Sequence, residues 1–168
     1  MVVIGGPAMA ALPGRFPDAA DLGLFTAYFL ALILLLASDL DQRLLPDVIT
    51  LPMIPISFAV AALSVDPLVR GQLVLAIVAA IGLPLILFAL SIPFGSGAIG
   101  MGDLKLLVSV GLLSGLGRSV IAVVAGALLS GVVVVALLAG RRVTLQSFIP
   151  FGPFLIAGAF WAVLLTSG

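Results

Sequence analysis

Residues 97–107 read GAIGMGDLKLL, and the interpretation of the whole chain starts from this stretch. The surrounding sequence is almost entirely apolar, so a glycine-rich segment that ends in Asp103 and leads directly into a new apolar run stands out. A carboxylate at this place either caps the following helix or takes part in chemistry at the edge of a membrane. The second role requires a partner, and Asp39 is the candidate.

The composition is that of a membrane protein. Of the 168 residues, 63% are hydrophobic and 8% are charged, whereas soluble domains have about 25% charged and 45–50% apolar residues. We therefore predict an all-α polytopic membrane protein with about six transmembrane helices and short loops. The length leaves no room for a second, soluble domain.

The absence of several residue types limits which catalytic groups and metal ligands the chain can use. The chain contains no His, Cys or Glu, so disulfides, thiolate nucleophiles and Cys or His metal sites are excluded, and no cofactor is expected. The formal net charge of zero argues against a nucleic-acid partner. Any catalysis must use Asp, Lys, Tyr or hydroxyl groups.

Apolar runs divide the chain into a tail and six spans. Residues 1–20 are rich in Gly and Pro and are predicted to form an irregular tail, and residues 21–168 form the membrane domain. The first span approaches the roughly 20 residues that a bilayer core requires, and the fourth is shorter. The predicted spans cover about 22–38, 48–65, 72–92, 103–116, the segment from a link at 117–119 to about 139, and a last segment that ends near 166.

The basic residues give a modest prediction of orientation. Connectors after the first, third and fifth spans carry one more cation than the opposite set, which predicts that they face the cytoplasm and that both termini face the periplasm. With six spans, Asp39 and Asp103 lie on the same side in either orientation. The two sets are Arg43, Lys105, Arg141 and Arg142 against Arg15, Arg70 and Arg118.

The polar cluster after the first span offers three carboxylates. Asp39 ends the span, where an ionised side chain either pairs with Arg43 one turn along or faces a polar interior. Asp41 would point about 200° away around the same helix and is predicted to be solvated. Asp47 follows Pro46 and is predicted to cap the second span.

The glycines before Asp103 favour a functional role for that residue. Capping alone would explain an Asp at the start of the fourth span. Gly100 and Gly102, however, permit positive φ and leave no Cβ to obstruct an extended peptide lying against the loop. We therefore predict that these two glycines position a substrate backbone, while Lys105 is interpreted as an interfacial anchor.

Asp39 and Asp103 together indicate acid–base chemistry. Two carboxylates that lie close together in a low-dielectric site share a proton, because they cannot both ionise. One can then take a proton from water while the other donates a proton to a peptide carbonyl or a leaving amine.

Three motifs resemble those of the type IV prepilin peptidases. Residues 39–47 (DLDQRLLPD) with 50–52 (TLP) resemble the family's first catalytic motif, 100–107 (GMGDLKLL) its GxGD motif, and 150–155 (PFGPFL) the segment that opens its last helix. The resemblance implies a bacterial inner-membrane aspartic protease that removes the leader of type IV prepilins or pseudopilins at the cytoplasmic face. Asp39 and Asp103 match the family's catalytic positions.

The resemblance is to the short, peptidase-only members of the family. Larger members add an N-terminal domain with a cysteine-rich zinc site and methylate the new pilin terminus, and this chain has no Cys. The leading alternative from another class is a transporter or proton-relay protein, because intramembrane Asp residues also mark ion paths.

Overall fold

The computed structural model describes residues 2–42, 45–63, 66–94, 99–140 and 151–165, and within these ranges it contains helices and no strands. The prediction of an all-α polytopic membrane protein is confirmed. Three helices are long and apolar enough to cross a membrane, over Ala19–Asp41, Leu73–Ser91 and Met101–Leu137. The helices are α1 (Val2–Arg15), α2 (Ala19–Gln42), α3 (Asp47–Ala62), α4 (Leu73–Ser91), α5 (Met101–Ala139) and α6 (Gly152–Leu165), with a 3-10 turn at Ile92–Phe94.

The outer surface of the bundle carries many exposed apolar side chains. Leu34, Leu85 and Val132 are each exposed by more than half. A chain with this surface requires lipid around it, and helices are the elements that satisfy every backbone polar group internally in lipid.

The prediction of an irregular N-terminal tail is wrong for residues 2–15, which form α1. Pro7 and Pro13 lie within this helix, which local propensity alone would not favour. Tertiary packing decides the outcome: Leu12 is buried in the core, and the ring of Phe16, just beyond the helix, stacks on Phe25 with centroids 4.2 Å apart. The burial of this apolar stripe offsets the poor helix formers.

Helix α5 contains both the fourth and the fifth predicted spans. Gly115, with φ 71° and ψ 177°, breaks it into two helical segments, so the predicted link at 117–119 was placed slightly too late. The Ser119 hydroxyl donates a hydrogen bond to the Val110 carbonyl over 3.3 Å, whereas a straight helix would separate these residues by about 13 Å. The chain therefore changes direction at Gly115.

The loop between α3 and α4 packs beside this break. The Leu68 carbonyl accepts a hydrogen bond from Arg118, and the Leu68 N–H donates one to Asp66 over 2.8 Å. Asp66 is fully buried, and this burial raises the pKa of its carboxyl to about 7. These contacts join the loop to α5 at the end of the bundle away from Asp103.

The core forms where α2, α5 and α6 meet. The rings of Phe29 on α2 and Phe160 on α6 pack edge to face at 4.7 Å. Leu107 on α5 and Leu155 on α6 are fully buried in the same cluster. This packing holds α2 and α5 in position through their common contacts with α6.

The break at Gly115 generates a stability prediction. Its backbone lies in a region that is essentially restricted to glycine, so Gly115→Ala should lower the free energy of unfolding by about 1–3 kcal/mol, measured by denaturant titration in detergent. Gly117→Ala is the matched control, because Gly117 is exposed with open space around it, and it should be neutral or stabilising by up to about 1 kcal/mol. Equal effects of the two changes would contradict the assigned break.

Candidate active site

Asp39 lies in the last turn of α2 and points into the protein. Only 2% of its surface is exposed. Its Oδ2 atom is buried and has no hydrogen-bond partner among the described residues. Arg43, the alternative partner that the sequence offered, lies outside the described residues, whereas Asp41 is exposed as predicted.

Asp103 is the third residue of α5 and is also buried, with 6% of its surface exposed. The Gly100 carbonyl accepts hydrogen bonds from the backbone N–H groups of Asp103 and Leu104, at 3.1 and 3.3 Å. In return, the Gly100 N–H donates to the Asp103 carboxylate. Asp103 therefore caps its helix through a reciprocal contact, and the capping role and a chemical role do not exclude each other.

Gly152, the first residue of α6, brings the two carboxylates together. A methyl group added at Gly152 would lie 2.8 Å from Oδ1 of Asp103 and 2.9 Å from Oδ2 of Asp39. These two oxygens are therefore at most about 6 Å apart, a separation at which like charges oppose each other's ionisation. The structure thus places Asp39 and Asp103 around one point that carries no side chain.

The two predicted loop glycines act by close approach and not by positive φ. Among the described residues, positive φ occurs at Gly71 and Gly115, so Gly100 and Gly102 do not adopt the positive φ that glycine permits. A methyl group added at Gly102 would lie 2.8 Å from the Leu45 Cβ atom, and one added at Gly100 would lie 3.4 Å from Oδ2 of Asp103. Gly100 therefore borders the Asp103 carboxylate, whereas Gly102 borders Leu45.

The role predicted for Asp47 requires correction, whereas the interfacial role of Lys105 stays a prediction. Asp47 is the first residue of α3, whose N-cap is Pro46 with no side-chain capping bond. The Asp47 carboxylate instead accepts a hydrogen bond from Lys105 Nζ over 2.6 Å. The capping prediction misses this contact because the partner lies far away in the chain.

Sequence reasoning also missed Gly152 as a site residue. Its surroundings in residues 150–155 indicated the start of a helix, and the Gly-Pro pair is typical of such a start. What the sequence could not indicate is that this backbone position faces both carboxylates. Pro150, in the same motif, lies outside the described residues.

Comparison with known proteins points to one family. A family model described as the type IV leader peptidase family matches residues 26–136. Proteins named prepilin leader peptidase/N-methyltransferase from two strains of Burkholderia pseudomallei are 36% identical over 158 residues, which is 92% of this chain and 50% of theirs. A protein of the same name from Pseudomonas putida is 30% identical over 134 residues, covering 80% of this chain and 46% of its own. The chain therefore spans about half the length of these relatives, and no solved structure matches it significantly.

The convergence at Gly152 can be tested through stability. Gly152→Ala forces a methyl group against both carboxylates, and overpacking of this kind lowers the free energy of unfolding by about 1–3 kcal/mol. Gly131→Ala, at a position with open space, is the control and should not destabilise. Denaturant titration in detergent measures both.

A double variant makes this test specific. In an Asp39→Ala background the crowded Oδ2 atom is gone, so Gly152→Ala should have a smaller effect than it has in the unmodified chain. Purely additive effects of the two changes would contradict the observed contact.

Proposed function

This chain belongs to the type IV leader peptidase family, and we propose that it is an aspartic endopeptidase that removes the leader peptide of type IV prepilins or pseudopilins. The observation that carries the proposal is the meeting of Asp39 and Asp103 at Gly152. Two buried carboxylates that share one proton suffice for acid–base hydrolysis of a peptide bond. No thiolate or imidazole is needed, which suits a chain without Cys or His.

The proposed mechanism uses the singly protonated pair. The ionised carboxylate takes a proton from a water molecule as the water oxygen attacks the peptide carbonyl carbon, and the protonated carboxyl donates its proton to the carbonyl oxygen. As the C–N bond of the tetrahedral intermediate breaks, the carboxyl that took the water proton donates it to the leaving amine, and the other carboxylate takes a hydroxyl proton from the intermediate, which leaves as the carboxylic acid. Both products are released without a covalent link to the protein.

The walls of the site suit a peptide in extended conformation. Gly100 and Gly152 contribute no side chain beside the carboxylates, and Leu45 lies against Gly102 and Gly152. A substrate backbone can therefore approach closely on the side of Gly100, which Leu45 does not cover. Asp39 and Asp103 are buried among apolar helices, away from bulk water. Bulk water would screen the electrostatic repulsion between the two carboxylates.

The helices and the relatives indicate a bacterial membrane protein. We propose that it lies in the inner membrane with the carboxylate pair facing the cytoplasm. The slight excess of basic residues in the connectors on that side supports this orientation. Prepilins are proposed as substrates because the relatives' names specify prepilin leaders.

Replacing either carboxylate by its amide tests the proposal. Asp39→Asn and Asp103→Asn should each abolish cleavage of a co-expressed prepilin, because an amide cannot exchange the required proton. Each single change should have about the same effect as the double change, since the two groups act as one unit. Gel shift and N-terminal sequencing of the prepilin measure cleavage, and membrane abundance of the peptidase is followed in parallel.

Asp41→Asn is the matched control, because Asp41 lies on the same helix and is exposed. It should retain full cleavage. Cleavage by either Asp39→Asn or Asp103→Asn would refute the proposed mechanism. Proton flux in proteoliposomes with no cleavage of any prepilin would instead support the transport alternative.

A further inference from the structure

The segment Leu45–Asp47, called the strap below, lies against Gly102 and against Gly152, which borders the carboxylate pair. The Leu45 Cβ atom is 2.8 Å from where a methyl group on Gly102 would lie, and its Cδ1 atom is 3.1 Å from the corresponding point on Gly152. The strap therefore covers the point at which Asp39 and Asp103 meet. Anything that moves the strap also opens or reshapes this point.

One ion pair ties the strap to α5. Lys105 Nζ and Asp47 Oδ1 are 2.6 Å apart, although the two residues are separated by 58 positions in the chain. Lys105 follows Asp103 by two residues, and Asp47 is the last residue of the strap and the first of α3. The contact thus links α5, which carries Asp103, to the connector that follows Asp39 at the end of α2.

The exposure of Lys105 and Asp47 indicates that their ion pair affects the position of the strap more than the stability of the whole protein. The side chain of Lys105 is 29% exposed and that of Asp47 is 58% exposed. Ion pairs this accessible change global stability little, because water screens the attraction and ordering two side chains opposes it. They can still decide which of two arrangements a short connector adopts.

We propose that Lys105 and Asp47 are positioning residues whose ion pair holds the strap against Gly102 and Gly152, enclosing the carboxylate pair. The effect on the strap follows from the contacts alone. The effect on catalysis rests on the proposed function. Neither residue touches the reacting atoms, so each acts through the position of Leu45.

The strap can be followed without any enzyme assay. The chain has no Cys, so Leu45→Cys introduces a single thiol on the strap. In purified protein in detergent, adding Lys105→Gln or Asp47→Asn should raise the rate of maleimide labelling at this thiol by up to about fivefold, the range of an exposed ion pair. Lys105→Arg keeps the charge and should leave the rate unchanged. A thiol introduced by Leu63→Cys, exposed at the other end of α3, should show no dependence on these changes.

Kinetics on a prepilin substrate tests the positioning role. Lys105→Gln and Asp47→Asn should each lower kcat by about threefold to fivefold with little change in KM, since neither side chain binds substrate. The double variant should resemble either single variant, because each change removes the same contact. Lys105→Arg should restore kcat, and Asp41→Asn should leave it unchanged.

The two measurements separate the two proposals. Unchanged labelling in Lys105→Gln and Asp47→Asn overturns the role of the ion pair in holding the strap, whatever the protein cleaves. Increased labelling with an unchanged kcat, or strictly additive losses in the double variant, overturns its role in positioning. If the unmodified protein cleaves no prepilin, the proposed function fails, and labelling still decides whether the pair holds the strap.

Discussion

Two acidic side chains must be held beside a backbone position that has no side chain, and much of the structure serves this constraint. Asp39 ends α2, Asp103 begins α5 and Gly152 begins α6, so three helix termini have to meet. The core between these helices, including the contact of Phe29 with Phe160, fixes their relative positions. A methyl group at residue 152 would already occupy the space between the carboxylates.

The lipid environment explains why the carboxylates of Asp39 and Asp103 lie inside the bundle and not on its outer surface. The outer faces of the helices are apolar, so a polar group in the bundle that finds no partner inside it is costly to bury. Asp103 finds such a partner in the Gly100 N–H, whereas Oδ2 of Asp39 has none among the described residues. An uncompensated buried oxygen is costly for folding. Its presence beside a second carboxylate is the pattern expected of a site selected for chemistry.

Much of the fold could be predicted from the sequence, because bilayer thickness and hydropathy constrain helix length strongly. The pairing of Asp39 with Asp103 was also predictable from the two motifs. Features that depend on tertiary contacts were not: α1 forms despite Pro7 and Pro13 because Leu12 becomes buried. The partner of Asp47 and the neighbours of Gly152 come from distant parts of the chain, so no local pattern could reveal them.

The most direct test of the central claim, that Asp39 and Asp103 face one another, uses paired cysteines in a chain that has none. Asp39→Cys combined with Asp103→Cys is treated in membranes with a short bifunctional thiol reagent, and linked peptides are identified by mass spectrometry. Asp41→Cys combined with Asp103→Cys is the control, since residue 41 lies about 200° further around α2. The account predicts that the first pair becomes linked and the second does not. Linkage of the second pair without the first would contradict it.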